Sequence, residues 1–290
     1  MNKRELYYKL SPKLRLLVRR LWFLPVDLWD WVTNKRDAMT PPKGAIFVGS
    51  GDFKKQGRRL LDLLIELVDL KPEDTVLDIG CGIGRLAVPL TGYLNEKGAY
   101  YGFDIVKRGI DWCNKHIAKK YPNFHFLYTP LKNDLYNLDT EIESQHFVFP
   151  YEDKQFDVVV LTSVFTHMTA DDVANYLNQI HRVMAYNGRC MASFFILNEK
   201  TENNIKQNNT GFTFPHAHKN CFLMDKRIKE ANVAYDEKYL LDLFRANHLT
   251  VEQIHYGGWS NGQLAGELDF FQDIVVFRKN SCTFVSCKQK

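Results

Sequence analysis

Thr75-Val-Leu-Asp-Ile-Gly-Cys-Gly-Ile-Gly84, answered by Tyr100-Tyr-Gly-Phe-Asp104, decides how this 290-residue chain folds. Val76, Leu77 and Ile79 form a short apolar run that reads as a buried parallel strand. Gly80, Gly82 and Gly84 follow at a spacing of two, and Arg85-Leu-Ala-Val-Pro-Leu90 opens an apolar-periodic helix. Glycines at such a turn admit backbone angles closed to other residues and let a ligand approach the main chain. The next apolar run ends in Asp104, and a carboxylate there suits the two hydroxyls of a ribose. Together these features predict a nucleoside-containing cofactor.

The details narrow the nucleoside. A dinucleotide fingerprint needs a third glycine at position 85, where this chain has Arg85. Asp78, two residues before the first glycine, would repel a pyrophosphate but suits a cationic ligand. S-adenosyl-L-methionine (SAM) carries an ammonium, a sulfonium and a ribose, and no phosphate. On these motifs the chain resembles the class I SAM-dependent methyltransferases from roughly Pro42 to Lys279. In Phe47–Phe53 and Tyr256–Ser260 it resembles bacterial methyltransferases of unassigned substrate. The resemblance implies an α/β, Rossmann-like seven-stranded sheet, mostly parallel, with an antiparallel C-terminal edge hairpin and helices on both faces. It also implies that Asp78 and the turn of Gly80, Cys81, Gly82 and Gly84 hold the methionine part of the cofactor. Asp104 would take the ribose, and Ile105 would pack on the adenine. Pro130 stands about where the family often has an acid near the adenine amino group, so main-chain groups around Leu131 are expected to replace it. Thr162 and Ser163 would sit beside the sulfonium.

The pattern outside the motif agrees with this fold. Strands are expected at 75–79, 99–104, 123–128, 157–161, 188–195, 250–256 and 270–278, with helices at about 55–70, 85–95, 107–120, 171–184 and 235–246. Such alternation predicts a parallel sheet covered on both faces. Leu60, Leu61, Leu64, Ile65 and Val68 are the expected buried stripe of the 55–70 helix. Glycines and Ser50 just ahead of it fit a flap at the cofactor mouth or an ordinary loop. Two long connections, 129–155 and 196–234, leave the carboxyl edge of the sheet, where ligands bind in open α/β folds, and are expected to act as lids.

Catalysis would be direct in-line attack on the methyl group, accelerated chiefly by positioning. His167, beyond the fourth strand in Phe156–Met168, is placed to take a proton from a substrate hydroxyl, or else only shapes its loop. His216, with His218 in Gly211–Asn220, is the second candidate base, and no third ligand is identifiable that would make a metal site there. Trp259 in Tyr256–Gly262 is either an aromatic plate for a sugar or ring, or a packed loop residue. The loop lacks the Asn/Asp-Pro-Pro-aromatic motif of amino-methylating DNA enzymes, and the chain has no Pro-Cys pair of the cytosine-methylating kind. Asp171 and Asp172 read as a helix cap rather than as metal ligands. The expected function is methyl transfer to a hydroxyl of a small molecule or glycan. An N-methyltransferase acting on a small amine or protein side chain is one alternative, and a non-catalytic SAM-binding scaffold or sensor at a membrane is another.

The charge of +4 is unevenly spread: residues 1–36 hold nine Lys or Arg and three acids, a net of +6. The near-neutral remainder gives no case for nucleic acid. Six cysteines without Cys-x-x-Cys or zinc spacing read as free thiols in a reducing compartment. A basic amphipathic arm over residues 1–40 is expected to precede the methyltransferase domain, 41–290. In the arm, Leu6, Leu10, Leu14, Leu17, Leu21 and Leu24 recur at helical spacing among basic residues, with Pro12 near the helix start and Pro25 expected to end or kink it. Residues 1–36 are thus candidates for peripheral contact with an anionic membrane, or for packing on protein. The expected location is the cytoplasm, with the inner membrane face as a peripheral site.

Overall fold

The structure is a computed structural model that describes residues 11–47, 51–134, 136–208, 212–262, 268 and 270–279. Leu6 and Leu10 of the arm, Ser50 of the expected flap, Gly211, Cys282 and Cys287 lie outside the described residues.

The seven expected strands are β1 (Thr75–Ile79), β2 (Ala99–Asp104), β3 (Phe124–Tyr128), β4 (Phe156–Leu161), β5 (Met184–Phe194), β10 (Leu249–His255) and β11 (Asp273–Lys279). They form one sheet in the order β10-β11-β5-β4-β1-β2-β3. β1 pairs in parallel with both β2 and β4, and β11 runs antiparallel between β5 and β10. The chain turns outward from β1 in both directions, so the carboxyl ends of β1 and β4 border the crevice in which open α/β sheets bind ligands.

The helices are α1 (Pro12–Val32), α2 (Phe53–Val68), α3 (Ala87–Leu90), α4 (Lys107–Cys113), α5 (Ala170–Val183), α6 (Glu199–Asn208) and α7 (Glu237–Ala246). One face of the sheet packs on α2, α3 and α4 through Leu60, Leu64, Leu90 and Ile110, the other on α5 and α7 through Val173, Leu177, Leu240 and Phe244. β1 and β4 are therefore buried from both sides, which is why they read as nearly continuous apolar runs. α2 starts at Asp52, whose carboxylate accepts from the Lys55 amide at 2.8 Å. α5 starts in a capping box between Thr169 and Asp172, while Asp171, in the first turn, pairs with Lys219.

Three local expectations need correction. Leu63 is fully buried in α2 and Ile65 is exposed, because the helix is flanked by the glycine turn as well as the sheet. The 85–95 helix is reduced to Ala87–Leu90 and turns, and the 107–120 helix passes into a π-helical turn at Asn114–Ala118. Pro25 does not end α1, which runs through it to Val32. Pro25 lies on the exposed side of the helix, where water can satisfy the carbonyl its ring leaves without an amide partner.

The connection 196–234 builds a second sheet in the order β6-β9-β8-β7, from β6 (Ile196–Leu197), β7 (His216–His218), β8 (Cys221–Leu223) and β9 (Val233–Asp236). The later part of the 129–155 connection is pinned to α5. Asn175 Nδ2 donates to the Ser144 and Phe147 carbonyls, and Arg182 to those of Phe149 and Tyr151.

Close packing of α2 on the chain leaving the glycine turn rests on one small residue. A Cβ on Gly57 would stand 2.4 Å from the Arg85 carbonyl oxygen, a backbone atom that cannot swing away. Gly57→Ala is expected to lower stability by roughly 1–3 kcal/mol despite the better helix propensity of alanine. A thermal melt at or above the parent's would show that α2 is free to shift.

Candidate active site

The turn after β1 is built by backbone that only glycine adopts without strain. Gly80, Gly82 and Gly84 have φ of 77°, 60° and 81°. The Gly80 and Cys81 amides donate to the Phe103 carbonyl at 2.9 and 3.1 Å, which fastens the turn to the end of β2. Gly109 at the start of α4 is equally constrained, since a Cβ there would come within 2.4 Å of the Gly82 carbonyl oxygen.

Asp104 closes this turn. One carboxylate oxygen accepts from the Gly82 amide at 2.8 Å and the other from the Val106 amide at 2.7 Å. Burial pushes the Asp104 carboxyl up to about 6, against the lowering by these main-chain donors. An ionised carboxylate has about four acceptor positions, so two remain for further donors. Asp78 is buried and accepts from the Tyr100 hydroxyl at 2.7 Å. Burial raises it to about 7, and the Asp104 charge adds to the rise. Two acids are thus held close together in a dry place, an arrangement that a cationic ligand relieves. Burial also raises Cys81 well above the ordinary thiol range, which leaves it a packed thiol and no nucleophile.

Beyond β3, the Thr129 amide donates to the Asp104 carbonyl at 3.0 Å and the Leu131 amide to the Thr129 carbonyl at 2.9 Å. The Thr129 hydroxyl is buried without a hydrogen-bond partner. A buried hydroxyl without a partner is one that a ligand atom can satisfy, and it stands one residue before Pro130. Leu131 is buried and Ile105 half-buried beside it.

At the end of β4, Ser163 has φ 58°, an unfavourable left-handed backbone for a serine. Its amide donates to Ser193 Oγ at 2.7 Å and its hydroxyl to Gln272 Oε1 at 2.9 Å. Ser193 Oγ donates to the same Gln272 oxygen at 2.7 Å, so the Ser163 hydroxyl is engaged toward β11. Thr162 remains half-buried beside it.

His167 is where the two long connections meet. Its Nδ1 lies 2.9 Å from the Glu230 carbonyl oxygen, which makes Nδ1 the protonated nitrogen and leaves Nε2 with a lone pair. The Tyr136 ring stands edge-on to the imidazole at 5.6 Å, and Asn133 Nδ2 donates to the His167 carbonyl at 3.3 Å. Burial lowers the His167 pKa from its ordinary value, so the ring is neutral at neutral pH. The Glu230 carboxyl accepts from the Asp134 amide, and burial raises it to about 8. Asn133 and Tyr136 from one connection and Glu230 from the other therefore clasp one histidine. His216, on β7, has no described contact with His167.

Trp259 is fully buried, its Nε1 donating to Asp273 Oδ2 at 2.8 Å among Phe195, Phe212 and Phe214. The stacking role is therefore overturned in favour of packing. Asp273 also accepts from the Ile196 and Gly257 amides at 2.7 and 2.8 Å, tying β11 to the second sheet.

Fold and turn together define a class I SAM-dependent methyltransferase. Residues 70–248 match the family described as "Methyltransferase domain", and the chain belongs to it. Among curated proteins it is similar to a 2-phytyl-1,4-naphtoquinone methyltransferase of Trichormus variabilis, 26% identical over 160 residues, 54% of this chain and 63% of that protein. The protein of the same name from Nostoc sp. is 23% identical over the same shares, so the chain spans under two thirds of these relatives' length. Among solved structures it is similar to a Pyrococcus horikoshii protein, with TM-score 0.55, 15% identity, and coverage of 81% of this chain and 95% of that one. It is also similar to the magnesium protoporphyrin IX methyltransferase of Synechocystis with bound S-adenosylhomocysteine, with TM-score 0.50, 14% identity, and coverage of 91% and 99%. The cofactor is SAM. The glycine cradle, the two buried acids and the orphaned Thr129 hydroxyl fit it.

Proposed function

We propose that the chain moves the SAM methyl group to a hydroxyl of a small-molecule acceptor, with His167 taking the hydroxyl proton. The observation that carries this reading is the clasp on His167: Nδ1–H is fixed on the Glu230 carbonyl and the ring is kept neutral at the meeting of both inserts. When bound, SAM supplies an already electrophilic methyl group. Asp78 and the Gly80–Gly82 backbone then receive the ammonium and carboxylate end, and Asp104 the ribose hydroxyls. Ile105, Leu131 and Thr129 bound the adenine, and Thr162 flanks the reacting end. Ser163, held by Gln272, fixes the loop that presents His167. The acceptor enters beside Tyr136 and Glu230, and Nε2 removes its proton as the methyl group is taken. Similarity to methyltransferases named for a naphthoquinone supports a small-molecule acceptor over a glycan. Contact of residues 1–36 with a membrane surface belongs to the same proposal.

The test is S-adenosylhomocysteine formation when the protein meets SAM and separated fractions of a cell extract, followed by comparison of the methylated product. With the acceptor in hand, His167→Asn is expected to cut kcat by about 10²–10⁴-fold with cofactor affinity unchanged. The parent's rate should fall on the acid side as His167 becomes protonated. An undiminished rate in the variant indicates an amine acceptor that needs no base. Tight cofactor binding with no fraction methylated supports the scaffold reading instead.

A further inference from the structure

α1 is amphipathic the wrong way round for a helix that merely caps its own domain. The side facing the body is mostly charged: Arg15 is buried and Arg19, Asp27 and Asp30 are half-buried, with Leu16 and Phe23 among them. Asp27 is spent on the connector, its two oxygens accepting from the Lys43 and Gly44 amides at 2.7 and 2.9 Å. The opposite side carries Leu17, Leu21, Trp22, Leu28, Trp29 and Trp31, and the three tryptophans are 78%, 61% and 70% exposed. At 100° per residue the exposed apolar positions spread over roughly 220° of the helix, too broad for a two-helix seam. No acid lies on that side, and residues 1–36 carry a net charge of +6. The positive charge continues onto the body, where Asp37 pairs with Lys54 at the edge of a cleft lined by Lys54, Lys55, Arg58, Arg59 and Arg85 and the single acid Asp62. Tryptophan and leucine on one face with arginine beside them match the headgroup layer of an anionic bilayer. No described helix is long and apolar enough to cross a membrane, so α1 would lie in the interface plane.

The arm is also fastened to the cofactor turn. The Gly44 Cα hydrogen faces the Arg20 backbone, where a Cβ would come within 3.0 Å of the Arg20 Cα. Three residues on, the Phe47 ring reaches Gly109 at the point where Gly109 meets the Gly82 carbonyl, with Arg108 stacked over it at 5.8 Å. Whatever surface α1 rests on is therefore presented to the site by a short, hydrogen-bonded connector.

We propose that the outward face of α1 seats the enzyme on an anionic lipid bilayer and that the methyl acceptor is an amphiphile drawn from that bilayer. The proposal rests on the methyltransferase reading above, and its test separates the two. The full chain is incubated with phosphatidylcholine vesicles with and without phosphatidylglycerol, and binding is read by co-sedimentation and by quenching of tryptophan fluorescence with brominated lipid. Binding is expected only with phosphatidylglycerol, to weaken with added salt, and to fall about tenfold or more in Trp22→Glu/Trp29→Glu, whose sites are exposed and whose melt should match the parent's. In parallel, methyl-labelled SAM is supplied with total lipid extract, as vesicles or dispersed in detergent, and with the aqueous extract. Label is expected in lipid from vesicles, reduced at least as far in the variant, and restored for the variant in detergent. Label only in water-soluble product, or no vesicle binding by the parent, overturns the proposal and leaves the methyltransferase reading standing. Label in no fraction counts against that reading itself. A parent that elutes as a dimer and a variant that elutes as a monomer, with no lipid binding, would assign the face to a second copy.

Discussion

Asp104→Asn is expected to bind S-adenosylhomocysteine at least about a hundredfold more weakly than the parent chain. A hydrogen bond to a charged group contributes about 1.5–3 kcal/mol, and two ribose hydroxyls on one carboxylate make a loss of roughly 3 kcal/mol the lower end. The substitution is near isosteric, so the effect arises from charge and donor pattern. Asparagine keeps one acceptor oxygen and turns an NH₂ toward either the Gly82 or the Val106 amide, both of which are donors in contact with Asp104. The ligand-free variant should therefore melt below the parent as well. Titration calorimetry is to be run well below that melt, with Asp111→Asn as a control, since Asp111 is exposed and pairs with Lys107 one turn earlier on α4. A folded variant that binds as tightly as the parent would sink the assignment of Asp104 to the ribose.

How much of this was legible in the sequence differs by element. The β1 turn could be read because its information is local: a buried strand, glycines at fixed spacing and an acid at the next strand end are all constraints of a few consecutive residues. The antiparallel sense of β10 and β11 was legible because no helix joins them, whereas the placing of β11 between β5 and β10 was not. What escaped were the parts that depend on contacts across the chain. The second sheet is made of strands of two to four residues, too short for a period to show. Gln272, which holds Ser163, lies 109 residues away from it. Glu230 meets His167 through a backbone carbonyl, and a carbonyl carries no residue-type signal. The Thr129 hydroxyl carries no signal in the sequence, because a threonine at a strand end is common and its lack of a partner shows only in the fold. Trp259 was undecidable from sequence, since an indole that stacks on a ligand and one that packs on three phenylalanines have the same neighbours in the chain. Pro25 misled because helix-breaking rules assume a carbonyl with nowhere to turn, while this one is open to water.

The ligand-free chain is expected to gain thermal stability as pH falls from 8 to 5, and cofactor binding near pH 6 is expected to release a proton. Unfolded carboxyls titrate near 4. In the folded chain burial raises Asp104 to about 6, Asp78 and Asp273 to about 7, and Glu230 to about 8. Between those limits the folded state binds more protons than the unfolded one, so this stability is complete below pH 4 and is lost as pH rises through 6 to 8. His167 and His181 work in the opposite sense below pH 6.5, but they are two groups against four. For Asp78 alone the linkage is on the order of a few kcal/mol. The ammonium of S-adenosylhomocysteine placed beside Asp78 favours the ionised carboxylate and pulls its pKa back down. At pH 6 Asp78 is mostly protonated before binding and ionised after it, and the proton must leave. Affinity should accordingly rise as pH increases through 7. Calorimetry at pH 6 in buffers of different ionisation enthalpy reads the release directly, and Asp78→Asn should cut it to the smaller share of Asp104, itself about half-protonated at that pH, along with most of the affinity. The neighbouring Tyr100→Phe takes away a hydrogen bond that stabilises the Asp78 anion, so it should leave the carboxyl more protonated before binding and enlarge the release at pH 7. Proton uptake, or a release undiminished in Asp78→Asn, would mean that the ammonium sits elsewhere than beside Asp78.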